Sequence, residues 1–130
     1  MPLSSSQNIG YIPAANAGAN KVTDFVNLAP GATFLSASLE VPSLNHHAWI
    51  VTQTAGVDAL SCQPQAAFRR GGNNALEWRN VAPPFLVAPG TTSTFTLNVL
   101  TAQAIRLLVT HTGAGGQPVA AGEVTLSGSA

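Results

Sequence analysis

The chain has 130 residues, enough for one domain with one hydrophobic core and no need of a metal or disulfide staple. Apolar residues make up 45% of it, yet Asp, Glu, Lys and Arg together supply only 8%, against roughly 25% in average soluble domains. Five basic residues balance five acidic ones, which excludes both the basic surplus that nucleic acid demands and the charge-rich composition of a disordered chain.

A protein free in solution ordinarily keeps a mixed charged surface. With Lys21 as its single lysine, this chain must cover itself with Ser, Thr, Asn and Gln, or hide surface against neighbours, and both are expected. Arg69 and Arg70, followed by Gly71 and Gly72, are too few for a phosphate-binding patch. No apolar run approaches the roughly 20 residues of a membrane span. The start, Met1-Pro2-Leu3-Ser4-Ser5-Ser6, lacks the basic and apolar regions of a signal peptide, so synthesis in the cytoplasm without export by that route is expected. Cys62 is the sole cysteine and reads as a buried, inert thiol.

Residues 1–30 are predicted to form an extended arm, with a short strand around 21–27, and residues 31–130 a β-domain. The arm scatters Ser4, Ser5, Ser6, Gly10, Pro13 and Gly18 without a sustained period, and has little means of ordering itself. Its Ser4, Ser5, Ser6, Ile9, Tyr11 and Ile12 are candidate contacts to another subunit. From Ala32, Leu35, Ala37, Leu39 and Val41 alternate with Phe34, Ser36, Ser38 and Glu40, the period of a half-buried strand. Pro42 to Asn45 reads as a turn, and His47 to Thr54 as a strand apolar enough to be central. Val57 to Cys62 is expected to form a strand stopped by Pro64. Gly71 to Asn74 is a turn signal.

In 75–81, Leu76 and Trp78 face one way and Glu77 and Arg79 the other. Phe85 to Ala88 is another short segment. The clearest alternation lies in 91–100, with Phe95, Leu97 and Val99, and in 104–112, with Ile105, Leu107, Val109 and His111. Gly113 to Gly116 reads as a hairpin tip, and 119–127 completes the set with Val124 and Leu126 on one face. About seven to nine short antiparallel strands, spaced by turns, predict an all-β fold: a β-sandwich or small β-barrel.

Chemistry is sparse. His46 and His47, if in a strand, point to opposite faces and cannot hold one metal; a polar turn entering the Trp49 strand is the plainer reading. Ser, His and Asp are present, but no Gly-x-Ser-x-Gly elbow joins them. Asp24, Glu40, Asp58, Glu77 and Glu123 are scattered rather than paired for acid–base work. Gly113-Ala114-Gly115-Gly116 lacks the lysine of a phosphate loop. No enzymatic activity, cofactor or metal is expected. Trp49 and Trp78 are either core residues or a platform for sugar rings. Arg106, among Ile105, Leu107 and Leu108, is suited to a bidentate contact with its own chain or a neighbour.

An uncharged Ala-, Thr- and Gly-rich β-domain with an irregular arm resembles the small virion proteins of tailed bacteriophages, particularly head decoration (cement) proteins. The residues carrying the resemblance are the arm 4–20, Ala29-Pro30-Gly31-Ala32, Ala88-Pro89-Gly90-Thr91 and Ala104-Ile105-Arg106-Leu107-Leu108-Val109-Thr110. The resemblance implies a jelly-roll- or β-tulip-like domain seated on an assembled shell, often as a trimer, whose partners are copies of itself and the major capsid protein. It implies a virion location. A carbohydrate- or ligand-binding module is the alternative from another class; a tail, neck, fibre or filament subunit is the nearest variant.

Overall fold

A computed structural model describes residues 19–69, 75–99 and 101–130 of the chain. These residues form ten strands and no α-helix: β1 (Ala19–Leu28), β2 (Thr33–Leu35), β3 (Leu39–Glu40), β4 (His46–Ala55), β5 (Leu60–Arg69), β6 (Leu76–Asn80), β7 (Phe85–Val87), β8 (Thr92–Leu97), β9 (Ala104–His111) and β10 (Ala120–Ser129). One sheet has the order β1-β10-β4-β8. The other has β2-β9-β5-β6, with β3 also pairing β9 and β7 also pairing β5. All pairs are antiparallel.

Taking β2/β3 and β6/β7 as two interrupted strands gives two four-stranded sheets. All the connections but one, the β5–β6 link, carry the chain from one sheet to the other, and the first and last strands pair. That winding is a jelly roll, an open sandwich rather than a closed barrel.

The core lies between the sheets, where period-2 alternation delivers one side chain in two. From β4 come Trp49 and Val51, from β9 Ile105, Leu107 and Val109, and from β10 Val124 and Leu126, all fully buried. Gly122 of β10 is needed by this packing. A Cβ there would run into the Thr52 carbonyl oxygen and the Phe25 ring.

Several expectations need correction. The strand expected at 21–27 is β1, hydrogen-bonded to β10 of the same chain, so this part of the leader belongs to the sandwich. Residues 1–18 lie outside the described residues, as do Arg70, the 71–74 turn and Leu100. The seven to nine strands expected are eight among the described residues, of which two are each broken into two segments. Over 33–41 the phase slips: Phe34 and Ser36 point inward, then Leu39 and Val41. Ser36 causes the slip, its Oγ accepting the Leu107 N–H (2.9 Å) in place of a ladder partner.

Pro64 does not stop a strand but sits within β5. Its carbonyl accepts the Val81 N–H at 3.2 Å, so its missing donor faces the gap between β6 and β7, where no ladder partner is required. Gly113 to Gly116 links β9 to β10 across the two sheets and is not a hairpin tip.

Gly122→Ala is therefore expected to destabilise the fold by about 1–3 kcal/mol or more, through overpacking against backbone. Thr94→Ala, on the outer face of the same sheet, is expected to be near neutral. Urea unfolding of the two variants tests the contrast.

Candidate functional site

Of the candidate contact residues, Ser4, Ser5, Ser6, Ile9, Tyr11 and Ile12 lie outside the described residues. Trp49 is in the core at 0% exposure, so it offers no face to a sugar or a neighbour. Its indole N–H donates to the Arg106 carbonyl (3.0 Å) on the opposite sheet, and its ring meets Phe95 at 5.9 Å between centroids. Trp78 and Arg106 do come together, with the guanidinium carbon 3.9 Å from the Trp78 ring centroid.

Register explains this meeting. Arg106, Gln65 and Asn80 are aligned across β9, β5 and β6, all pointing outward. Arg106 Nε donates to Gln65 Oε1 (2.8 Å), and Gln65 Nε2 donates to Asn80 Oδ1 (3.0 Å). The adjacent row runs Glu40, Ala104, Ala67 and Trp78 across β3, β9, β5 and β6. Both alanines point outward and are nevertheless buried, at 4% and 0% exposure, beneath the larger side chains of these rows. Desolvation lowers the Arg106 pKa from its ordinary value, in keeping with a guanidinium laid against an indole.

Small residues between large ones make a trough. A groove of about 430 Å³ has Ser38, Glu40 and Pro42 on one wall and Leu76 and Trp78 on the other. Ala104 and Gln103 also line it, with Arg69 beside Leu76. Glu40 and Arg69 make no ion pair among the described residues; the one ion pair there is Arg79 to Glu77, 3.1 Å and well exposed. Leu76 and Trp78 do share a face, as expected, and it is the outer one.

Polar groups elsewhere are absorbed by structure. His46 opens β4 rather than preceding it, pointing out while His47 points in. A shallow polar depression of about 330 Å³ surrounds His46, whose Nδ1 lies 2.9 Å from Asn98 Oδ1. His47 is buried, and its Nδ1 accepts the Val99 N–H at 3.1 Å, which leaves the proton on Nε2 without a well-directed bond. Burial lowers the His47 pKa from 6.5; neighbouring His46 adds to this, while the Leu97 and Leu44 carbonyls pull the other way.

His111 is also buried, its Nε2 donating to the Pro118 carbonyl and its Nδ1 accepting the Gly113 N–H, both 2.9 Å. Neither ring nitrogen is left for a hydroxyl or a metal. Burial pushes the Cys62 thiol up to about 12, which keeps it protonated and inert. Among the described residues, no three of His, Cys, Asp and Glu gather as metal ligands, and no helix is long and apolar enough to cross a membrane.

The polar ladder and the groove escaped the sequence because they depend on cross-strand register. The usable signal was Gln63, Gln65 and Arg69 alternating on either side of Pro64.

No protein-family model matches the chain, and no curated protein sequence matches it. Several solved structures are loosely similar, three of which illustrate the likeness. One is that of PirA, with 16% identity, 85% of this chain and 92% of that one covered, and a TM-score of 0.48. Another concerns Bacillus endospore appendages described as disulfide-linked pili, with 11% identity, 87% of each chain and a TM-score of 0.45. The third is the T13 particle of IBDV, with 14% identity and a TM-score of 0.49. It covers 83% of this chain, which spans 30% of the viral one. Likenesses this distant carry nothing about function to this chain.

Two outcomes follow from the geometry. Below pH 6.5 the unfolded chain binds a proton at His47 that the folded chain refuses, so stability falls as pH drops from 6.5 towards the lowered folded-state pKa. His47→Gln is expected to flatten that slope in melting temperature against pH. Arg106→Ala is expected to cost about 0.5–1 kcal/mol from the lost cation–π contact and to red-shift Trp78 emission, while buried Trp49 keeps its own.

Proposed function

We propose that this protein is a non-enzymatic structural subunit of a multi-protein assembly. The observation that supports the reading is the outer face of the β2-β9-β5-β6 sheet. An outward sheet face that meets water is normally polar. This one mixes polar side chains such as Gln63, Gln65 and Asn80 with Leu35, Leu76 and Leu86 at 46–65% exposure and with Leu108 and Trp78, and its charges among the described residues are few: Glu40, Arg69 and Arg106. Such a face gains by being covered.

In its finer form the reading is a component of a virion, a decoration (cement) protein seated on the head of a tailed bacteriophage and contacting copies of itself and the major capsid protein. The jelly roll is compatible with that role, since the fold recurs in viral capsid domains, though also in lectins and cupins. Repeated copies on a lattice supply avidity that one weak contact lacks. A sugar-binding module finds less support, because Trp49 lies inside and the Trp78 ring already carries a guanidinium.

The native mass of the full chain, compared with that of residues 19–130, tests the coarse reading. The full chain is expected to self-associate; monomers in both cases reject it. For the finer role, adding the protein to shells that lack it is expected to raise their melting temperature, and an unchanged value rejects it.

A further inference from the structure

We propose that the groove between Glu40 and Trp78 is the receptor for the N-terminal segment, residues 1–18, of a second copy of this chain. The inference rests on the assembly reading and names the contact that would make it.

Three observations converge. The first is where the segment leaves the domain. Ala19 lies opposite Gly128 at the start of β1. A Cβ on Gly128 would stand 2.9 Å from Val41 and 3.0 Å from Leu44, so this end of β1 lies by the β3–β4 turn. Glu40 and Pro42, on either side of Val41, form one groove wall, and the Val41 N–H donates to the carbonyl of Gln103, which also lines the groove (2.9 Å). Ala19, to which residue 18 is joined, thus lies at the end of the sandwich at which the groove opens.

The second is chemistry. Residues 1–18 contain no Asp, Glu, Lys, Arg or His. Their apolar side chains include Ile9, Tyr11 and Ile12, and in an extended backbone Ile9 and Tyr11 project to one side. The groove offers what such a strand would occupy: an alanine floor, Leu76 and Trp78 on one wall, and two opposite charges that leave it neutral overall.

The third is reach. Eighteen extended residues reach about 60 Å. That is several times the roughly 13 Å radius of gyration of a domain this size. The contact is head-to-tail, the kind that generates rings or open arrays rather than closed pairs.

The test titrates a synthetic peptide of residues 1–18 into the chain of residues 19–130, which retains all ten strands, and into the full chain, reading Trp78 emission. Saturable binding to the truncated chain is expected. Leu76→Ser, at an exposed position, and Ala104→Arg, which fills the floor, are each expected to weaken it by about tenfold or more. The same substitutions in the full chain are expected to reduce its native mass to that of the monomer, a readout that does not depend on the truncated chain folding. If the peptide fails to bind while the full chain self-associates, the groove is not the receptor and the assembly reading survives. If the peptide binds but the full chain is a monomer with its groove blocked, the segment lies on its own domain and the second copy is wrong. If neither binding nor self-association occurs, both fall.

Discussion

A fully buried indole must satisfy its N–H or lose the free energy of a desolvated donor, and that requirement ties this fold together. Trp49 stands on β4 of one sheet, and its acceptor is the Arg106 carbonyl on β9 of the other. One hydrogen bond therefore fixes how the two sheets sit across the core, where Val51, Leu107 and Leu126 are closed to solvent. The same Arg106 sends its side chain outward to Gln65 and to the face of Trp78. A single residue of β9 thus joins the interior to the surface on which the proposed contact lies.

Period-2 alternation made the framework legible. Strands β8, β9 and β10 stand close to where Phe95 and Leu97, Ile105 to His111, and Val124 and Leu126 placed them, because each has one apolar and one more polar face. Strand β4 was legible as a strand but not in its orientation. His47, Trp49, Val51 and Gln53 form the inner set, and Ala48, Ile50 and Thr52 the outer. Both sets mix apolar and polar side chains, so the pattern alone left the place of Trp49 open. Pro64 misled for a different reason: a proline inside a strand is costly only where a ladder partner awaits its N–H, and the β6–β7 break removes that partner. The slip at Ser36 likewise turns on one hydroxyl finding a backbone donor some seventy positions away.

The candidate site was the least legible part, since its rows are assembled across three or four strands from separate parts of the chain. Trp78 and Arg106 were each conspicuous on their own. Nothing local to either predicts that Ala67 and Ala104 stand between Trp78 and Glu40, or that Gln65 links Arg106 to Asn80. Small residues flanked by large ones in one cross-strand row produce a depression, and only register brings them into line.

The paucity of ionised groups has a kinetic side. Partners of opposite charge find one another quickly because long-range fields guide their encounters, an advantage that dissolved salt removes. This chain has almost no such field to lose. Encounters between copies would proceed at the unsteered pace, on the order of 10⁵–10⁶ M⁻¹s⁻¹. They would be nearly indifferent to ionic strength, and would weaken on cooling as apolar contacts do. Particles built through such faces would withstand brine better than ice.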